Sequence, residues 1–169
     1  MGRMRPPLLA VLVAAAVLPG CAYYSFSGAT IPEHLGTISI PIAEDNTIST
    51  LTGLDDRMTE LLVDRFVRQT RLSLESDTEQ ADALLRVTLA QYRNLPTSVS
   101  GDEQATRNRI TITARALYTD RTSGETLLDR TFSSFEEYDP FEPAQEETAA
   151  LAALEKIADD IFTAATSNW

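Results

Sequence analysis

With Cys21 as its one cysteine, the chain can close no disulfide within itself, so its fold rests on packing alone. His34 is likewise the one histidine, and a metal site built on a His and Cys cluster is excluded. That histidine sits in Pro32-Glu33-His34-Leu35-Gly36, which reads as a solvated loop rather than as the seat of a general base. No Gly-x-Ser-x-Gly segment and no glycine-rich phosphate loop occurs. Paired carboxylates are present at Asp55-Asp56, Glu146-Glu147 and Asp159-Asp160. Adjacent helical residues point ~100° apart, however, so each pair reads as a wet helix face rather than an acid and base in partnership. These absences argue against an enzyme, and nothing in the chain requires a metal or a cofactor.

What is present begins at the N-terminus. The apolar run Leu8 to Leu18 has 11 residues, well short of the ~20 that a helix needs to cross a bilayer. Preceded by Arg3 and Arg5 and closed by Leu18-Pro19-Gly20-Cys21, it has the three parts of an export signal. Cleavage before Cys21 would free its amine and thiol for acylation. Several acyl chains, at ~0.8 kcal/mol per buried CH₂, hold a protein stably on a membrane. The expected organisation is a lipoprotein signal peptide over 1–20, a lipidated tether over 21–36 and a single domain over 37–169, with Cys21 as the lipidation residue. The tether carries Tyr23, Tyr24 and Phe26, which can dock on the domain or lie at the membrane interface.

Charge is plentiful but segregated. Without the signal, twelve basic residues face twenty-five acidic ones, a balance that does not seek nucleic acid. Between Leu84 and Arg130, however, seven arginines outnumber five acids. From Thr131 to the end, nine acids face Lys156 alone. A basic middle in an acidic chain marks either a surface for an anionic ligand or a counterweight to neighbouring acidic helices.

Periodicity supplies the elements. Thr37 to Ile42 alternates with period two, and Pro41, which cannot donate to a ladder, predicts an edge strand or one paired on a single side. Leu51, Leu54, Met58, Leu61, Leu62 and Phe66 recur at helical spacing. Arg71 to Glu75 is a short strand, and Ala81 to Arg93 a longer one with Ala83, Leu85, Val87 and Leu89 sharing a face. The polar loop Pro96 to Thr106 leads into a strand from Asn108 to Arg121, with Ile110, Ile112, Ala114, Ala116 and Tyr118 on one side. Thr122-Ser123-Gly124 turns the chain into Glu125 to Phe135. Asp139-Pro140 signals a helix start, and Leu151, Leu154, Ala158, Ile161 and Ala165 stripe the closing helix. The predicted fold is α+β: a two-layer sandwich of a mostly antiparallel four- to five-stranded sheet with two helices packed on one face.

Alternation also places Arg107, Arg109, Arg115 and Arg121 together on the polar side of their strand, and Arg86 on the polar side of the preceding one. Guanidinium groups fork onto phosphate or carboxylate with two bonds at once, and the intervening threonines add hydroxyls. These five arginines are the candidate site for an anionic glycolipid or for the polar lumen of a partner. The other reading is an ordinary solvated sheet face.

Three phrases then carry a resemblance: Cys21-Ala-Tyr-Tyr-Ser-Phe-Ser-Gly, Ile31-Pro with Thr37-Ile-Ser-Ile-Pro, and Ser100-Gly-Asp-Glu-Gln-Ala-Thr-Arg-Asn-Arg-Ile-Thr-Ile. Together they are similar to the lipopolysaccharide-assembly lipoprotein family LptE. The resemblance implies a non-enzymatic outer-membrane lipoprotein, lipid-anchored, facing the periplasm or seated in the lumen of an LptD-like β-barrel, that helps deliver lipopolysaccharide to the outer leaflet. It also implies helices packed on a small sheet, in agreement with the element order. Among functional positions it transfers Cys21 alone. A second class remains open, because Ile38-Ser-Ile-Pro-Ile followed by an amphipathic helix also resembles periplasmic lipoproteins of the curli-secretion or penicillin-binding-protein-activator type, which act as pore subunits or enzyme activators.

Overall fold

The computed structural model describes residues 31–97, 107–142 and 144–167. The signal 1–20, Cys21 with most of the tether, and most of the loop Pro96 to Thr106 lie outside them. In chain order the elements are β1 (Thr37–Ser39), β2 (Glu44–Asp45), α1 (Leu54–Gln69), β3 (Ser73–Leu74), β4 (Ala83–Thr97), β5 (Arg107–Asp120), β6 (Thr126–Tyr138) and α2 (Ala144–Thr166).

These strands form one sheet in the order β3-β1-β4-β5-β6, with β2 also pairing with β4. The α+β class is as expected, but the sheet is six-stranded and mixed rather than mostly antiparallel with four to five strands. β4, β5 and β6 run antiparallel, whereas β1 is parallel to both β3 and β4, and β2 is parallel to β4. The cause is the helix between β1 and β3, since a strand, helix and strand in sequence returns the chain in the same direction. β1 is also not an edge strand, because it pairs on both sides. Pro41 is accommodated in the gap between Ser39 and Glu44, where the ladder lapses.

Both helices bury their stripes against the inner face of the sheet. Leu54, Met58, Leu61, Leu62 and Phe66 of α1 and Ala150, Leu154, Ile157, Ala158 and Ile161 of α2 join Ile110, Ile112, Ala114, Ala116 and Tyr118 of β5 in one core. Phe66 is its keystone, 5.9 Å from the Tyr118 ring and 5.2 Å, edge to face, from Phe162. Burial of a side chain of that size contributes ~1.5–3 kcal/mol. Two glycines hold the left-handed conformations the path needs, Gly53 (φ 78°) at the start of α1 and Gly124 (φ 77°) in the β5–β6 turn. Asp139-Pro140 makes a turn, with the Phe141 amide donating to Asp139 Oδ1 at 2.9 Å, and α2 begins only at Ala144.

One irregularity decides what the far half of the sheet presents. The β4–β5 register shifts between Leu89 and Gln91, so that Ala90 is an extra residue. Before it, the odd-numbered Ala83, Leu85, Val87 and Leu89 face the core; after it, the even-numbered Tyr92 and Asn94 do. The Tyr92 hydroxyl donates to Glu146 Oε1 at 2.8 Å, and that of Tyr138 to Glu146 Oε2 at 3.3 Å. Burial, followed by this bond to Glu146, pushes the Tyr92 phenol well above its ordinary pKa. Glu146 is therefore not a wet-face residue, unlike exposed Glu147 beside it.

At the opposite end, the segment entering β1 is strapped down. Ile31 and Leu35 are buried, and the Arg71 guanidinium donates to the carbonyls of Ile31, Pro32 and Leu35. Asp82 Oδ2 accepts from the amides of Gly36 and Thr37 at 2.9 and 3.0 Å. Those amide bonds and the bond to the Thr37 side chain hold the Asp82 carboxyl below its usual range.

Candidate functional site

The outer face of the three long strands is read across the ladder. Its successive rows are Leu95–Arg109–Glu137, Arg93–Thr111–Phe135, Gln91–Thr113–Ser133, Thr88–Arg115–Thr131 and Arg86–Leu117–Asp129, with Thr97 and Arg107 at the loop end. Four of the five arginines expected to lie together, Arg86, Arg107, Arg109 and Arg115, share this face. Arg121 does not: it follows the end of β5, and its Nη2 donates to Glu79 Oε2 at 3.0 Å.

Two arginines are set by neighbours on β6. Arg115 forks onto Asp129, Nε to Oδ1 at 2.8 Å and Nη2 to Oδ2 at 2.7 Å. That bond pushes the Arg115 pKa up and holds the Asp129 carboxyl below its usual range. Arg109 donates twice to Glu137 Oε1, at 3.2 and 2.7 Å, and its guanidinium carbon lies 4.5 Å from the centre of the Phe135 ring. Both arginines remain solvent-accessible, 61% and 44% exposed.

Arg93 belongs to the same face although counting by twos from Ala83 puts it on the core side. The bulge at Ala90 turns it outward, opposite Thr111. Exposed Phe135 and Leu95 likewise join the face at its loop end. The sequence signal for this reversal was Tyr92, an aromatic falling at an even position just after an odd-numbered apolar series. On these three strands the face carries five guanidinium groups (86, 93, 107, 109, 115) and two carboxylates, Asp129 and Glu137. Hydroxyls of Thr88, Thr111, Thr113, Thr131 and Ser133 fill the spaces between. Such a face can chelate an anion between positive rows and can hydrogen-bond a polar wall along its length.

The model of the LptE family, described as Lipopolysaccharide-assembly, matches residues 35–165. The chain belongs to the LptE family. The match runs from Leu35, beside the strapped entry segment, to Ala165 in the last turn of α2, so the arginine face lies wholly within the LptE domain. No curated protein sequence matches the chain. Among solved structures, the hypothetical protein CT253 from Chlamydia trachomatis superposes with a TM-score of 0.53 at 8% identity, over 79% of this chain and 99% of that one. An uncharacterized lipoprotein B from Nitrosomonas europaea gives 0.53 at 15% identity, over 85% and 88%. A PelC dodecamer from Paraburkholderia phytofirmans gives 0.52 at 7% identity, over 82% and 93%. These likenesses establish a shared fold. Within the LptE domain, none of the described helices is long and apolar enough to cross a membrane.

Proposed function

We propose that this LptE-family chain is a non-enzymatic outer-membrane lipoprotein, acylated at Cys21, which sits within an LptD-like β-barrel and assists the transfer of lipopolysaccharide to the outer leaflet. Removal of residues 1–20 as a signal peptide would leave a lipidated tether over 21–36, whose Ile31 and Leu35 are buried, and one domain over 37–169. The observation that carries this reading is the outward sheet face. A protein inside a barrel meets a wet, polar lumen wall, and rows of Thr, Ser, Gln and Arg offer it hydrogen bonds in place of apolar contact. Lipid A phosphates are anionic, and Arg86, Arg93, Arg107, Arg109 and Arg115 are spaced along one surface to neutralise them. Arg121, bound to Glu79, would contribute from the sheet end rather than from the face.

The test is a mild-detergent pull-down of the tagged protein from its own membranes, with mass spectrometry of the co-purifying material. A stoichiometric large β-barrel is expected, and crosslinks from position 109 should reach its lumen. Rings of the chain itself, or a peptidoglycan synthase in its place, would overturn the reading in favour of a pore subunit or an enzyme activator.

A further inference from the structure

β6 closes one side of the sheet, and among the described residues its outer edge has no strand partner along 13 residues. The other open backbone is blunted. β3 has two residues, and β4, beyond its last β2 partner at Leu89, carries the bulge and Pro96. β6 has neither proline nor glycine, and its carboxylates are neutralised within the domain: Asp129 by Arg115, Glu137 by Arg109 and Glu136 by Lys156. The negative side-chain charge that would deter a further strand is thus cancelled, and Arg130 is the one charged side chain of β6 without an ion-pair partner among the described residues.

Alongside this edge runs a groove of about 550 Å³ between β6 and the last turns of α2. Arg130, Phe132 and Ser133 form the strand wall; Asp160, Thr163 and Ala164 form the helix wall. Lys156 pairs with Glu136 while Thr163 and Ala164 share the groove with Arg130 to Ser133, so α2 runs antiparallel to β6, and Asp160, ~6 Å further along the helix than Lys156, lies near the level of Ser134, ~7 Å back along the strand. The groove is therefore dipolar, with Arg130 at one end and Asp160 at the other.

We propose that this groove takes an extended segment of a partner protein, added to β6 as a further strand. Its alternate side chains would be an acid opposite Arg130, a small apolar residue over Phe132 and a base reaching Asp160. Backbone pairing supplies affinity in this mode, and the alternate positions supply selectivity. A second copy of this chain is the other occupant of matching charge, and edge amides within 130–134 whose exchange slows with protein concentration in the absence of peptide would overturn the proposal in its favour.

The test measures amide hydrogen exchange in the full chain with the end-blocked peptide Thr-Lys-Thr-Val-Thr-Glu-Thr and with the same peptide N-methylated at alternate amides. At ten times its Kd the first peptide should slow edge amides within 130–134 about tenfold, and the second should not. Thr163→Trp, on the exposed helix wall, and Arg130→Glu should each abolish the slowing with circular dichroism unchanged. No slowing, equal slowing by the methylated peptide, or slowing elsewhere would overturn the proposal. So would faster exchange of these amides on deleting Asn168 and Trp169 alone, which would make the chain's own end the occupant.

Discussion

Asp120 Oδ2 lies 2.6 Å from His34 Nε2, joining two residues 86 positions apart. The histidine, expected as a solvated loop residue, is half exposed but bound, whereas the aspartate is 2% exposed. Asp120 Oδ1 accepts from the amides of Thr122 and Ser123, so one carboxylate ties the entry segment to the β5–β6 turn. Burial pushes this carboxyl up, but the bonds from His34, Ser123 and Thr122 together outweigh it and hold the carboxyl at about 2.

A carboxyl depressed in the folded state stabilises above its unfolded pKa and loses that contribution as pH falls through its folded one. For Asp120 the window runs from about pH 4 down to about pH 2, and the contribution is about 2 kcal/mol. Urea unfolding across this range should show the decline. Asp120→Asn should flatten it, and His34→Ala should shift it to higher pH. A wild-type stability that does not change between pH 4 and pH 2 would refute the assignment.

The Tyr118 hydroxyl is buried without a hydrogen-bond partner. Burial first, then the Asp120 charge, pushes its pKa up to about 12. An unmet buried donor costs ~1–3 kcal/mol, so Tyr118→Phe should be neutral or stabilising. Phe66→Ala, by contrast, removes the ring between Tyr118 and Phe162 and should cost ~3–5 kcal/mol. Equilibrium unfolding of the two variants checks both the sign of the first and the size of the second.

Reversing Arg107 and Arg109 to Glu should weaken glycolipid or barrel binding by roughly tenfold or more, the scale of one charge-assisted hydrogen bond. The melting temperature should change little, because exposed pairs contribute little to stability. Unchanged binding in both assays would make the face ordinary solvated surface.

Cys21→Ala should move the protein from the membrane to the soluble fraction with its unfolding midpoint unchanged. Fractionation followed by thermal melting tests both parts. Retention in the membrane fraction after a high-salt wash would show that acylation is not the anchor.

The core was legible in the sequence because side-chain period reports burial directly. The apolar series of β5 and the stripes of both helices stand where alternation and helical spacing put them. Strand direction was less accessible: Thr37 to Ile42 and Arg71 to Glu75 read as strands, but their parallel pairing follows from the helix between them, which period alone does not reveal. Arg93 was missed for a related reason, since a bulge changes phase without changing composition, and Tyr92 at an even position was its one mark in the pattern. Glu146 was misread because a helix face becomes wet or dry only when a partner such as Tyr92 arrives from a distant strand.

Ala90 gives the chain a reading frame. From Leu85 to Leu89, odd positions face the core and even ones the outer side; from Tyr92 to Leu95, the assignment is exchanged. Deleting Ala90 would therefore only close the bulge into a regular ladder, with Arg93 and Leu95 still outward; a residue inserted after it, between Gln91 and Arg93, would drive Arg93 and Leu95 toward α2 and turn Asn94 out to water. Length can vary freely in a surface loop, but beyond the bulge the number of residues is itself part of the site, and a one-codon insertion between Gln91 and Arg93 would disrupt the arginine row more thoroughly than most substitutions within it.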